Sequence, residues 1–74
     1  MPRYYFRLTD GAQVLQNHQG IELPGNAAAR DDATILARHL KHGLVMQGWD
    51  WSGWFIDIVD AHGHKVDEVP IVSA

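Results

Sequence analysis

Residues 24–48, PGNAAARDDATILARHLKHGLVMQG, hold the pattern on which the rest of the fold depends. Their opening Pro-Gly-Asn is typical of a helix start, with Gly25 or Asn26 as the N-cap. At 100° per residue, one stripe of the helix collects the apolar residues Ala29, Ala33, Leu36, Ala37, Leu40 and Leu44. A single stripe of this kind predicts a helix that lies on the face of a sheet.

The limits of this helix follow from its glycines. We predict a helix from about Ala27 to Met46, with Gly48 as its terminator. Gly43 lies inside the helix or marks an earlier end.

The chain before the helix reads as a hairpin. Alternation in residues 3–9, RYYFRLT, sends Tyr4, Phe6 and Leu8 to one face and Tyr5, Arg7 and Thr9 to the other. Asp10-Gly11 is a turn signal, and we expect a second strand from Gln13 to Gln16 that continues irregularly to Leu23.

The chain after the helix repeats this logic. Trp54, Ile56 and Ile58 share one face of a third strand, and residues 60–63, DAHG, form a turn. A last strand from about Lys65 to Ile71 follows, and Pro70 confines it to a sheet edge. The order β-β-α-β-β predicts a single α+β domain over residues 1–74, with an antiparallel sheet and one helix packed on one of its faces.

Composition limits the class of protein. With 74 residues, no cysteine and 46% hydrophobic residues, the chain is a small globular domain whose stability is expected to be marginal. Because no disulfide can stabilise it, we expect self-association to do so. No apolar run is long enough to cross a bilayer, and no secretory leader is seen, so we expect a cytoplasmic protein that does not bind membranes. The net charge of −3 is unevenly placed, since residues 50–74 hold one lysine and five acidic residues. This acidic C-terminal half argues against nucleic acid as a partner.

Several short motifs resemble those of a bacterial family of unknown function, common in alphaproteobacteria. They are the MPRYYF start, the GIELP segment at residues 20–24, the DWSGW segment at residues 50–54, the DAHG turn and Val69-Pro70. The resemblance covers essentially the whole chain and implies no activity, ligand or catalytic residue. A weaker resemblance, of topology alone, is to small antitoxins that bind RNA-cleaving toxins.

All three tryptophans lie in GWDWSGW, residues 48–54. Alternation puts Trp54 in the core with Ile56, whereas Trp49 and Trp51 lie in the connection and can fold over the open end of the sheet. We predict that the motif closes the core. The alternative is a small-ligand site at the Trp49/Trp51 lid.

Five histidines raise the question of a metal site. His39 and His42 share a helix face, and His62 and His64 flank a turn glycine, but no cysteine is present and no third and fourth ligands are placed. We therefore expect no metal and no cofactor. Serines lack a neighbouring base, and the carboxylates Asp57, Asp60, Asp67 and Glu68 read as solvated, so we expect no enzyme.

Two surfaces are candidates for binding a partner. The sheet face opposite the helix carries Tyr5, Phe55 and Val59, and the exposed side of the helix carries a second stripe of Ile35, His39, His42 and Met46. We expect a non-enzymatic interaction module, a homodimer through the sheet face or an accessory to another protein. If the histidine stripe pairs instead, we expect acid to dissociate the dimer. The alternative class is an antitoxin-like or regulatory protein that binds a partner protein or nucleic acid.

Overall fold

The computed structural model describes residues 1–43 and 48–74. Its elements are β1 (Arg3–Thr9), β2 (Val14–Glu22), α1 (Asn26–His42), β3 (Phe55–Asp60), β4 (Lys65–Pro70) and a short 3-10 turn (Ile71–Ser73). The strands form one antiparallel sheet in the order β2-β1-β3-β4, and the predicted α+β fold is confirmed.

The helix begins where the sequence predicts, with Gly25 as its N-cap, but it ends earlier, at His42. Gly43 leaves the helix in an extended conformation, and its N–H donates to the Leu40 carbonyl. A Cβ at Gly43 would lie 2.8 Å from the His39 carbonyl oxygen, so this close exit favours glycine. Leu44 and Met46, which we assigned to the two helical stripes, lie outside the described residues.

The core lies between α1 and one face of the sheet. It contains Tyr4, Phe6, Leu8, Ala29, Ala33, Ala37, Trp51, Ile56, Ile58, Val69 and Ile71. The three alanines let the helix backbone approach the sheet closely, because they have no bulk beyond Cβ. The prediction for Trp54 is only partly right: it is half-buried and packs against the core, whereas Trp51 is buried. The reason is that β3 begins at Phe55, one residue after Trp54.

Polar contacts hold α1 over the β4 side of the sheet. Arg30 Nη1 lies 2.8 Å from Asp67 Oδ1 and 3.0 Å from the Glu68 carbonyl oxygen. At the other end of the helix, the Lys41 ammonium donates to the Val72 carbonyl at 3.0 Å. The helix accordingly packs mainly on β3, β4 and the C-terminal turn.

One helix cannot cover four strands. The strands are spaced about 4.8 Å apart, so the sheet is about 19 Å wide, whereas a helix with its side chains is about 10–12 Å in diameter. The helix-side residues of β1 (Tyr4, Phe6 and Leu8) are nevertheless buried, whereas Ile21 on the edge strand β2 remains 36% exposed. The part of the sheet that α1 covers least therefore lies at β2.

Candidate interaction surfaces

A groove follows the uncovered part of the sheet, along the flank of α1. It has a volume of about 230 Å³, and its walls are Phe6, Ile21, Asp32, Ile35, Leu36 and His39. The first two residues come from β1 and β2, and the other four come from the helix. We call these six residues the groove surface. They combine two sequence-predicted residues, Ile35 and His39, with four that we did not assign to a site.

Two of the four apolar side chains of the groove surface are open to solvent. Ile35 is 51% exposed and Ile21 is 36% exposed. Val14 and Leu15, at the other end of β2, are also exposed but do not line the groove. Exposed large aliphatic residues beside a groove, on a domain this small, are the kind of surface feature that marks an interface.

Two titratable residues of α1, Asp32 and His39, line the groove. At 100° per residue, Asp32 and His39 share the groove flank of α1 with Ile35 and Leu36. They are seven residues apart, about 10.5 Å along the helix axis, so they do not pair with each other within one chain. Within the described parts of the chain, neither side chain forms an ion pair or a side-chain hydrogen bond.

The opposite sheet face, which we call the open face, is organised by ion pairs. Arg7 Nη2 lies 3.2 Å from Asp57 Oδ2, and the Lys65 ammonium lies 3.0 Å from Asp57 Oδ1 and also contacts Glu68. A hydrogen bond to the carboxylate of Glu68 and, to a smaller extent, the nearby carboxylate of Asp57 raise the pKa of Lys65 above its ordinary value. The network links β1, β3 and β4 across three neighbouring strands.

Asp57 is the centre of this network, and the prediction that it is solvated is wrong. Its residue exposure is only 7%, because β3 is central and the stems of Arg7 and Lys65 lie beside it. Among the described residues, its Oδ1 has the Lys65 ammonium nearby but accepts no aligned hydrogen bond. Electrostatic attraction to the two cations is what offsets the loss of water at this carboxylate.

The apolar residues predicted for the open face surround the ion pairs. Tyr5 lies opposite Val59 across β1 and β3, and Phe55 lies opposite Thr9. Tyr5 is 36% exposed, whereas Val59 and Phe55 are half-buried, and the Lys65 ammonium lies 5.2 Å from the centre of the Phe55 ring. The structure thus brings Tyr5, Phe55 and Val59 to one face, as predicted, but charged side chains cross that face.

Both edges of the sheet are irregular. β2 departs from regular pairing with β1 at two places, between Tyr4 and Phe6 and between Leu8 and Thr9. β4 carries a similar shift next to Lys65 and ends at Pro70. Bulges, charges and proline are the features that prevent strands of separate molecules from pairing edge to edge.

The tryptophans form a cluster at one end of the sheet. The Trp49 ring centre lies 6.2 Å from that of Trp51 and 6.1 Å from that of Trp54, in tilted and edge-on arrangements. Trp49 is 45% exposed. Asp50 Oδ1 accepts the Ser52 N–H at 3.0 Å, which lowers the pKa of Asp50, and Gly53 has a φ of 79°. The predicted turn and the burial of Trp51 are confirmed, while a ligand role for Trp49 and Trp51 stays a prediction.

The remaining histidines are at two separate places. His42 is exposed in the last turn of α1. His62 and His64 lie in the β3–β4 turn with ring centres 6.4 Å apart. Asp60 Oδ1 accepts the N–H groups of both residues, and these hydrogen bonds lower the pKa of Asp60. Over residues 1–43 and 48–74, no three His or acidic side chains come close enough together to hold a metal ion.

Sequence reasoning missed Asp32 and Ile21 at the groove and the burial of Asp57. The first omission had a visible signal, since a four-stranded sheet with one helix must leave part of its helix-side face uncovered. The burial of Asp57 had no signal in the sequence, because strand alternation shows on which face Asp57 lies but not that the stems of Arg7 and Lys65 cover it.

In the part of the chain that the structure describes, no helix has the length and apolar character needed to span a bilayer.

Comparison with known proteins gives a family and no activity. No curated protein and no solved structure matches the chain. A family model described as a domain of unknown function, DUF6894, matches residues 3–73. Since this match spans nearly the whole sequence, the chain belongs to the DUF6894 family.

Proposed function

We propose that this domain is a non-catalytic interaction module that forms a homodimer through the groove surface. The observation that carries the proposal is the groove of about 230 Å³ between α1 and the β2 side of the sheet, where Ile21 and Ile35 are exposed. Burying this surface would stabilise a domain too small to build a large core of its own.

A protein surface fits this groove better than a small molecule does. Small-molecule sites have volumes of about 300–1,000 Å³ and bury most of their ligand, so this groove is below that range. Its lining residues extend along about two turns of α1, from Asp32 to His39, and include Phe6 of β1 and Ile21 of β2. An elongated surface of that kind matches the exposed flank of another helix.

A second copy of the chain supplies a helix flank of the required kind. In a symmetric dimer the same patch serves both partners and has to be complementary to itself. The groove surface offers both parts, because α1 projects Ile35 while the neighbouring sheet provides an apolar floor that includes Phe6. Each helix would cover the sheet area that the partner's own helix leaves open.

The open face is the competing surface, and its charges argue against it. Covering that face would remove water from Arg7, Lys65 and Glu68, each of which is about half exposed. Removing charges from water has a cost that well-formed ion pairs only partly offset. The groove surface carries fewer charged side chains, and its Ile21 and Ile35 are exposed, so we place the dimer contact there.

The first prediction separates the two faces by substitution. Ile35→Asp puts a charge at the centre of the groove surface, so we expect it to convert the dimer to monomers in sedimentation experiments at concentrations where the unmodified chain is dimeric. Val72→Asp is the matched control, since Val72 has the same 51% exposure but lies in the C-terminal turn. It should leave the dimer intact.

Phe55→Asp tests the open face in the same series. If it abolishes the dimer while Ile35→Asp does not, the contact lies on the open face and the proposal is wrong. A chain that stays monomeric at high micromolar concentration would rule out both surfaces as homodimer contacts.

A further inference from the structure

We propose that the two α1 helices of the homodimer pair antiparallel, with Asp32 of each chain opposite the partner's His39. This inference rests on the proposed function, because it specifies the arrangement of a dimer formed through the groove surface. It follows from the order of charges along the groove flank of α1.

The groove flank is symmetric in sequence about its centre. Asp32 lies three residues before Ile35, and His39 lies three residues after Leu36. A two-fold axis at the Ile35–Leu36 level, perpendicular to the helix, therefore brings each Asp32 opposite the partner's His39. The aliphatic residues meet at the centre, and the two polar pairs lie at the rim, as in most protein interfaces.

Parallel pairing of the same flanks has the opposite electrostatics. It would place Asp32 opposite the partner's Asp32, and His39 opposite the partner's His39. Like charges placed against each other disfavour an arrangement, whereas complementary charges fix orientation and register. The helix spacing prevents either residue from satisfying the other within one chain. Charge complementarity thus selects a second copy in the antiparallel orientation.

The arrangement determines the direction of the pH effect. Protonation of His39 places a positive charge opposite the partner's Asp32, so the dimer should tighten as pH falls from 7.5 to 6. A histidine stripe paired with itself predicts the reverse. The same helix also carries His42, three residues after His39. On β2, His18 is at the register position opposite Phe6. The side chains that β1 and β2 contribute to the groove surface are uncharged.

The second prediction is a charge exchange. Measured at pH 6, Asp32→Lys and His39→Asp, each alone, should raise the dimer dissociation constant about tenfold, since two rim pairs per dimer change from attraction to repulsion. The double variant Asp32→Lys/His39→Asp should return to within about threefold of the unmodified chain. Asp31→Lys, an exposed neighbour outside the groove surface, is the control and should change little.

The pH dependence is measured on the same proteins. His39→Lys should tighten the dimer at pH 7.5 and remove most of its pH response, while His18→Gln and His42→Gln should keep the response. A dimer that weakens on acidification contradicts the inference. A second contradiction would be a double variant, Asp32→Lys/His39→Asp, that dimerises no better than the single variants. If Ile35→Asp still abolishes the dimer in that case, the antiparallel pairing is wrong and the proposed function stands. An unmodified chain that is monomeric under all these conditions overturns both.

Discussion

At the scale of single residues, Asp57 shows how a face without a covering helix is stabilised. A carboxylate on a central strand is shielded from water, and an unpaired charge there would destabilise the fold. Here two flexible cations from the neighbouring strands extend over it, and their own head groups remain about half exposed. The open face is therefore compatible with water even though Tyr5, Val59 and Phe55 lie on it.

The third prediction follows from the burial of this carboxylate. Asp57→Ala should lower the free energy of unfolding by about 1–2 kcal/mol, less than a fully buried pair would lose, because its partners are exposed. Glu22→Ala removes a more exposed carboxylate that lies 3.5 Å from Arg3, and it should lose no more than about 0.5 kcal/mol. Urea unfolding of both variants makes the comparison. Equal losses would show that Asp57 is no more than a surface charge.

At the scale of secondary structure elements, the sequence predicts the helix and the strands but not where the helix lies across the sheet. Apolar periodicity gave α1 and the strands, and glycine, proline and aspartate marked the turns. The position of α1 across the sheet depends on Arg30 reaching Asp67 and on Lys41 reaching the Val72 carbonyl. These contacts join residues more than 30 positions apart, which no local pattern indicates.

The fourth prediction concerns the link between α1 and β4. The Arg30 guanidinium holds the pKa of Asp67 below its ordinary value of 3.8. A lowered pKa in the folded chain means that this contribution to stability is present above about pH 4 and is lost as pH falls further through the folded value. Asp67→Asn should therefore reduce stability at pH 6 and show a shallower loss between pH 4 and pH 2.

Thermal unfolding across that pH range provides the measurement. Asp31→Asn is a suitable control, since Asp31 is an exposed residue of the same helix. Parallel stability curves for Asp67→Asn and the unmodified chain would mean that the Arg30–Asp67 pair does not hold α1 in place.

At the scale of the whole molecule, the groove is a consequence of size. Over residues 1–43 and 48–74 the chain forms four strands and one helix, and this single helix is too narrow to cover the whole sheet. The sequence predicted that some apolar surface would remain, but placed it first on the open face, because the charged stems around Asp57 were not foreseeable from alternation. In the structure, charged side chains cross the open face, while Ile21 and Ile35 are exposed on the helix side.

The most direct test of the groove contact is a cross-link at its centre. The chain has no cysteine, so an Ile35→Cys variant carries a single thiol. If two helices cross at the Ile35–Leu36 level, these thiols approach closely enough for a disulfide, which requires Cα atoms within about 7 Å. We predict a covalent dimer of Ile35→Cys under mild oxidation, and little or none for the equally exposed Val72→Cys. Equal cross-linking of the two variants, or no cross-link in an Ile35→Cys protein that sediments as a dimer, would contradict the account.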